Sequence, residues 1–81
     1  MNIFVARLAH TVTDLHLELL FGHFGKVERA QVIYDKATGR SKQFGFVEMA
    51  NETEAQVAIA KLDGAPLEGS RIIVKPARDR E

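Results

Sequence analysis

The chain has 81 residues, enough for one small domain, and its 46% hydrophobic and 27% charged content is that of an ordinary globular protein. It has no cysteine, which excludes a disulfide framework and a thiolate metal site. Lys and Arg number 11, as do Asp and Glu, so an indiscriminate polyanion binder is excluded, whereas a local basic patch is not.

The first apolar run, Ile3 to Val5, is far too short for a signal peptide or a membrane span, so no membrane partner is expected and the cytoplasm is the expected compartment. Ile3-Phe4-Val5-Ala6-Arg7-Leu8, β-branched and aromatic, predicts a first strand. Thr13 is a suitable helix N-cap, and Asp14 places negative charge in the first turn. Leu17, Leu20, Phe21 and Phe24 then follow the spacing of a buried helical face, with Gly25 as the expected stop. Val27 to Tyr34 predicts a second strand, with Ala30, Val32 and Tyr34 on one side and Arg29, Gln31 and Ile33 on the other. Asp35 to Ser41, centred on Thr38-Gly39, is a polar turn.

Lys42 to Met49 predicts the third strand. Gly45, Val47 and Met49 look one way; Phe44 and Phe46 look the other, beside Lys42 and Glu48. Asn51 opens a second helix with Glu54 at the capping-box position, and its apolar face is Ala55, Ala58, Ile59 and Leu62. Asp63-Gly64 stops it. After a loop through Pro66 and Gly69, Arg71 to Lys75 predicts a last strand, with Ile72 and Val74 opposite Arg71, Ile73 and Lys75. The order is strand, helix, strand, strand, helix, strand. It predicts an α+β, ferredoxin-like βαββαβ sandwich: a four-stranded antiparallel sheet with two helices on one face.

In this topology the first and third strands lie side by side, which brings Phe4 next to Phe44 and Phe46 on the face without helices. Cross-strand stabilisation of the sheet explains such a cluster in part. An exposed aromatic patch more often marks a binding site, and single-stranded nucleic acid suits it because bases stack on aromatic rings. A protein-binding face remains the competing reading.

Lys42-Gln43-Phe44-Gly45-Phe46-Val47-Glu48-Met49 resembles the RNP1 octapeptide of the RNA-recognition motif, and Ile3 to Leu8 resembles its RNP2 hexapeptide. The spacing between them, the Phe-Gly after helix one and the Asp-Lys-x-Thr-Gly-Arg turn match as well, so the likeness covers Asn2 to Ala77. The resemblance implies a single motif over residues 1–77 with a short charged tail at 78–81. It implies that Phe4 and Phe46 each stack a base, that Phe44 packs against the sugars between them, and that Lys42 pairs with a phosphate. Arg40, Arg71, Lys75 and Arg78, at the edges of that face or in the tail, are candidates for further phosphate contacts or are plain solvated charges. Three residues depart from the family pattern. Gln43 stands where Gly is usual, Arg7 where Asn is usual, and Met49 where an aromatic residue is usual. The first two bear on sequence preference, the third on core packing.

Leu15 and Leu19 lie opposite the core stripe of helix one, where relatives usually carry charge. Two scattered leucines are one reading; a weak self-association or partner contact through Val12, Leu15 and Leu19, with His23 at its rim, is the other. His10, His16 and His23 have no metal-ligand spacing, and neither a metal nor a cofactor is expected. No nucleophile–base pair stands out. Ala9-His10-Thr11-Val12 lacks the Gly-rich phosphate cradle of acylphosphatase-like enzymes of the same topology, so no enzyme is expected.

The expected function is therefore binding of about two to four nucleotides of single-stranded RNA across the open sheet, with a shallow salt dependence. Single-stranded DNA fits the same platform, since stacking does not read the 2′-OH. A chain of this length starting at Met1 resembles the short single-motif RNA-binding proteins of bacteria, expected as monomers.

Overall fold

The apolar–polar alternation of the strands sends every second side chain into one shared core. In a computed structural model, which describes residues 1–77, the elements run β1 (Asn2–Ala6), α1 (Asp14–Gly22), β2 (Val27–Tyr34), β3 (Ser41–Met49) and α2 (Glu52–Leu62). They are followed by β4 (Pro66–Leu67), β5 (Ser70–Arg71) and β6 (Ile73–Pro76). The main sheet has the order β2-β3-β1-β6 with antiparallel neighbours, and β4–β5 is a separate two-stranded ribbon. Arg78 lies outside the described residues.

Both helices cover one face. Ile3 and Val5 from β1, Val47 and Met49 from β3, and Val74 from β6 are buried there against Leu17 and Phe21 of α1 and Ala55, Ala58 and Leu62 of α2. Gly45 faces the same core at a point where β2 crosses so closely that a Cβ would overlap the Gln31 carbonyl oxygen. Only a residue without a side chain fits there.

Carboxylates fix the helices to the two sheet edges. Val32 in β2 donates its N–H to Asp14 Oδ1 at 2.7 Å, and Val74 in β6 donates to Asp63 Oδ1 at 2.9 Å. Asp14 opens α1 and Asp63 closes α2, so each outer strand is tied to the end of one helix. At its start α2 is capped by Asn51, whose Oδ1 accepts the Glu54 N–H at 2.9 Å. At α1 the Thr13 N–H donates to Nδ1 of His16 at 2.9 Å. That bond leaves the proton of a neutral imidazole on Nε2, which lies 3.8 Å from Glu68 Oε2.

Four sequence expectations are corrected. Tyr34 does not join Ala30 and Val32 on the core side: a register shift between Val32 and Tyr34 inverts the alternation, and Tyr34 is 44% exposed. Val12 is fully buried, because the loop that precedes the Thr13 N-cap dips into the core; Val12 therefore cannot share a surface with Leu15 and Leu19. Arg71 belongs to the β4–β5 ribbon rather than to the last sheet strand, since Glu68 and Gly69, at φ 50° and 84°, close a tight turn that folds Ser70–Arg71 back on Pro66–Leu67. Finally, α1 ends at Gly22 and leaves through a bond from Phe24 N–H to the Phe21 carbonyl, so Gly25 is not a left-handed cap.

Candidate nucleic-acid interface

The register of the sheet places residues on the helix-free face in rows, because directly opposed residues of an antiparallel pair point to the same side. One row is Lys75, Phe4, Phe46 and Gln31, from β6 across β1 and β3 to β2. Beside it lies Ile73, Ala6 and Phe44, and on the other side Asn2, Glu48 and Arg29. The three phenylalanines are thus neighbours across the middle of the sheet. Their ring centroids are 5.7 Å apart for Phe4–Phe46, 5.9 Å for Phe4–Phe44 and 6.2 Å for Phe44–Phe46, with interplanar angles of 53°, 42° and 89°. The tilted and edge-on contacts are favourable for aromatic pairs and hold the rings in place. Phe46 is 39% exposed and the other two are half-buried, so an apolar surface faces away from both α1 and α2.

The cations are less uniform. Lys42 is exposed at the entry of β3, near enough to Asp35 to favour its ionised form. Asp35 is held below its ordinary value of 3.8 mainly by the amides of Thr38 and Ala37, which donate to Oδ1 at 3.1 and 2.8 Å, and Lys42 adds to this. Arg40 is exposed at the β2–β3 turn, where it lines a shallow hollow of about 360 Å³ with His10, Tyr34, Gly39 and Ser41. Lys75 lies opposite Phe4, its Nζ 4.0 Å from Asp63 Oδ2; a surface pair of that kind is weak and easily exchanged. Arg71 is turned away, its Nη1 donating to the Gly64 carbonyl at 3.0 Å.

The two departures flagged in the sequence have a physical cause in common. Arg7, at φ 60°, and Gln43, at φ 67°, both adopt the left-handed backbone region, which Gly enters freely and Asn more readily than other residues. They sit together where β1 leaves the sheet and β3 enters it, and Leu8 N–H donates to the Gln43 carbonyl at 3.0 Å. Ser41 Oγ accepts the Gln43 N–H at 2.9 Å, and Ser70 Oγ donates to the Arg7 carbonyl at 2.8 Å. The backbone keeps the shape that Gly and Asn suit and imposes it on longer side chains. Met49, the third departure, is fully buried.

Asn2, Arg29 and Gln31 also lie on the platform, and sequence reasoning did not single them out. Their alternation was legible, but their place beside the rings follows from the cross-strand register. Leu15 and Leu19 are 59% and 61% exposed on the far side of α1, as expected, and Leu19 borders a second hollow with Glu18, Gly22 and His23. Among the described residues no helix is long and apolar enough to cross a membrane, and no three of His, Cys, Asp and Glu gather as a metal site.

The family model described as RNA recognition motif matches residues 3–73. The chain is 50% identical over 79 residues to a 31 kDa chloroplast ribonucleoprotein of Nicotiana sylvestris, covering 98% of this chain and 25% of that protein. It is 42% identical over 81 residues to the putative RNA-binding protein RbpB of a Nostoc species, covering 100% of this chain and 79% of the relative. Among solved structures, the Sxl-lethal protein in complex with RNA superposes with a TM-score of 0.92 at 31% identity, over 99% of this chain and 48% of that one. The chain thus spans about a quarter of the chloroplast ribonucleoprotein and most of the cyanobacterial relative. None of these relatives is an enzyme by name.

Proposed function

The chain belongs to the RNA recognition motif family, and on that premise we propose that it binds single-stranded RNA across the helix-free face of its sheet. The observation that carries this reading is the triangle of Phe4, Phe44 and Phe46, with centroids 5.7 to 6.2 Å apart on the face that neither α1 nor α2 covers. In this reading Phe4 and Phe46 each take a base by stacking and Phe44 supports the sugars between them. Lys75, opposite Phe4, and Lys42 and Arg40, exposed at the start of β3 and in the β2–β3 turn, supply phosphate contacts in this reading, with Arg78 in the tail a further candidate; Arg71 does so only by giving up its bond to Gly64. Stacking does not depend on the 2′-OH, so single-stranded DNA of the same length binds by the same rings. The names of the relatives, ribonucleoprotein and RNA-binding protein, support the ligand class. The Nostoc relative supports a bacterial source, and the cytoplasm is the compartment proposed with it, although other relatives are chloroplast proteins by name.

The test is a titration of the isotope-labelled protein with a pool of short RNAs, read residue by residue, with Phe46→Ala beside the wild type. Phe46→Ala is expected to weaken binding by about 1–3 kcal/mol, roughly five- to 150-fold. The fold should survive, because the ring is 39% exposed and its loss removes edge contacts of about 0.5–1.5 kcal/mol each. Shifts confined to α1, or none at all, end the proposal.

Exposed Leu15 and Leu19 favour a second, weaker contact with another polypeptide on a chain otherwise monomeric. Sedimentation of wild type beside Leu15→Glu/Leu19→Glu decides it: two monomeric samples across a wide concentration range remove the idea.

A further inference from the structure

The register that aligns the rings also aligns the polar row Asn2–Glu48–Arg29, immediately beyond them. We propose that this row reads bases, and that Glu48 makes the platform prefer guanine at the position stacked on Phe46. The inference rests on the RNA-binding reading above and extends it from ligand class to base identity.

Phe44, Phe46 and Glu48 follow one another at every second position along β3, about 7 Å apart. With a sugar against Phe44 and its base over Phe46, the base's outer edge falls over Glu48. On the neighbouring strands Asn2 and Arg29 stand directly opposite that residue. Glu48 is half-buried. The ion pairs among the described residues are His16–Glu68 and Lys75–Asp63, so its carboxylate is not engaged by any described cation.

Hydrogen-bonding capacity then selects the base. An ionised carboxylate only accepts, at two adjacent oxygens, and a guanidinium only donates. Guanine is the RNA base whose Watson–Crick edge carries two neighbouring donors, N1–H and the 2-amino group, next to one acceptor, O6. Glu48 matches the donors and Arg29 matches O6. Uracil offers a single N–H between two carbonyls. Adenine and cytosine set one amino group beside a ring-nitrogen lone pair, which would face the second carboxylate oxygen. Asn2, with one donor group and one acceptor, discriminates less at the neighbouring base over Phe4.

The experiment is fluorescence anisotropy of the full 81-residue chain with labelled hexauridylate in which one central residue is replaced by G, A or C. The G-containing oligomer is expected to bind at least about fivefold tighter than those containing A or C. Glu48→Gln, whose amide carries one donor group and one acceptor, should reduce that ratio of G to A and C binding to less than about twofold, whatever its effect on affinity for the all-U oligomer. Circular dichroism of the variant checks that it is folded. Equal binding of G and A by the wild type overturns the base assignment while leaving the platform intact, as does a G preference that survives in Glu48→Gln. Failure of every oligomer to bind overturns the platform and the inference together.

Discussion

Replacing Gln43 by glycine should make this protein more stable, although the substitution removes a side chain. Gln43 holds φ at 67°, a left-handed conformation that costs a residue with a Cβ roughly 1–2 kcal/mol. Glycine removes that cost and returns about 0.4–1 kcal/mol of it through the greater freedom of the unfolded chain. The side chain itself contributes little in compensation: its one polar contact among the described residues is an exposed 3.5 Å approach of Nε2 to His10 Nε2. The backbone bonds through Gln43, to Ser41 Oγ and from Leu8 N–H, remain available to glycine. The net expectation is a gain of about 0.5–1 kcal/mol, which in a domain of this size raises Tm by roughly 2–8 °C. Thermal and urea unfolding followed by circular dichroism measure it, with Gln43→Ala as the control, because alanine keeps the Cβ and hence the strain. If Gln43→Gly melts at or below wild type while Gln43→Ala does not fall, the left-handed conformation is not a source of strain and the account of this corner is wrong.

Arg7→Asn applies the same logic at φ 60° and should gain up to about 1 kcal/mol in the same unfolding assay, additively with Gln43→Gly only if the two bends relax independently. Gly45→Ala should destabilise by about 1–3 kcal/mol, since the new methyl overlaps the Gln31 carbonyl on the adjacent strand β2; an unchanged urea midpoint would show that the strands part more easily than their geometry implies. The β2–β3 turn should loosen in acid. Asp35 titrates below its ordinary 3.8 when folded, so its contribution is present above that value and is lost as pH falls through the lower, folded one. Amide shifts of Ala37 and Thr38 should therefore move together with a midpoint below 3.8 and stay still in Asp35→Asn.

Local periodicity made most of the architecture readable. The alternation of Phe44 and Phe46 against Gly45, Val47 and Met49 assigns both faces of β3, and the helical spacing of Ala55, Ala58 and Leu62 assigns one face of α2. What periodicity misses is what depends on a partner. The bulge that turns Tyr34 outward exists only in the register of β2 against β3, and no pattern within Val27 to Tyr34 announces it. The β4–β5 ribbon that captures Arg71 needs Glu68 in a left-handed conformation; Glu-Gly was the available signal, weaker than the Asn-Gly that usually marks such a turn. Val12 precedes the Thr13 N-cap, so no helical spacing applies to it, and its burial depends on the path of the loop before α1. At the candidate site the rings were legible because their chemistry is unusual for an open face. Asn2, Arg29 and Gln31 were not, because polar residues on a solvated strand are ordinary until their neighbours are known.

The carboxylates of Asp14 and Asp63 have a meaning beyond anchoring helices. The outermost strands of an open sheet are where a stranger's backbone can zip on, and each of these two surrenders an amide inward to its own molecule before a visitor can claim it. Growth of the ladder from chain to chain is thereby discouraged at both flanks, because a newcomer must first displace a carboxylate that already holds the strand's amide.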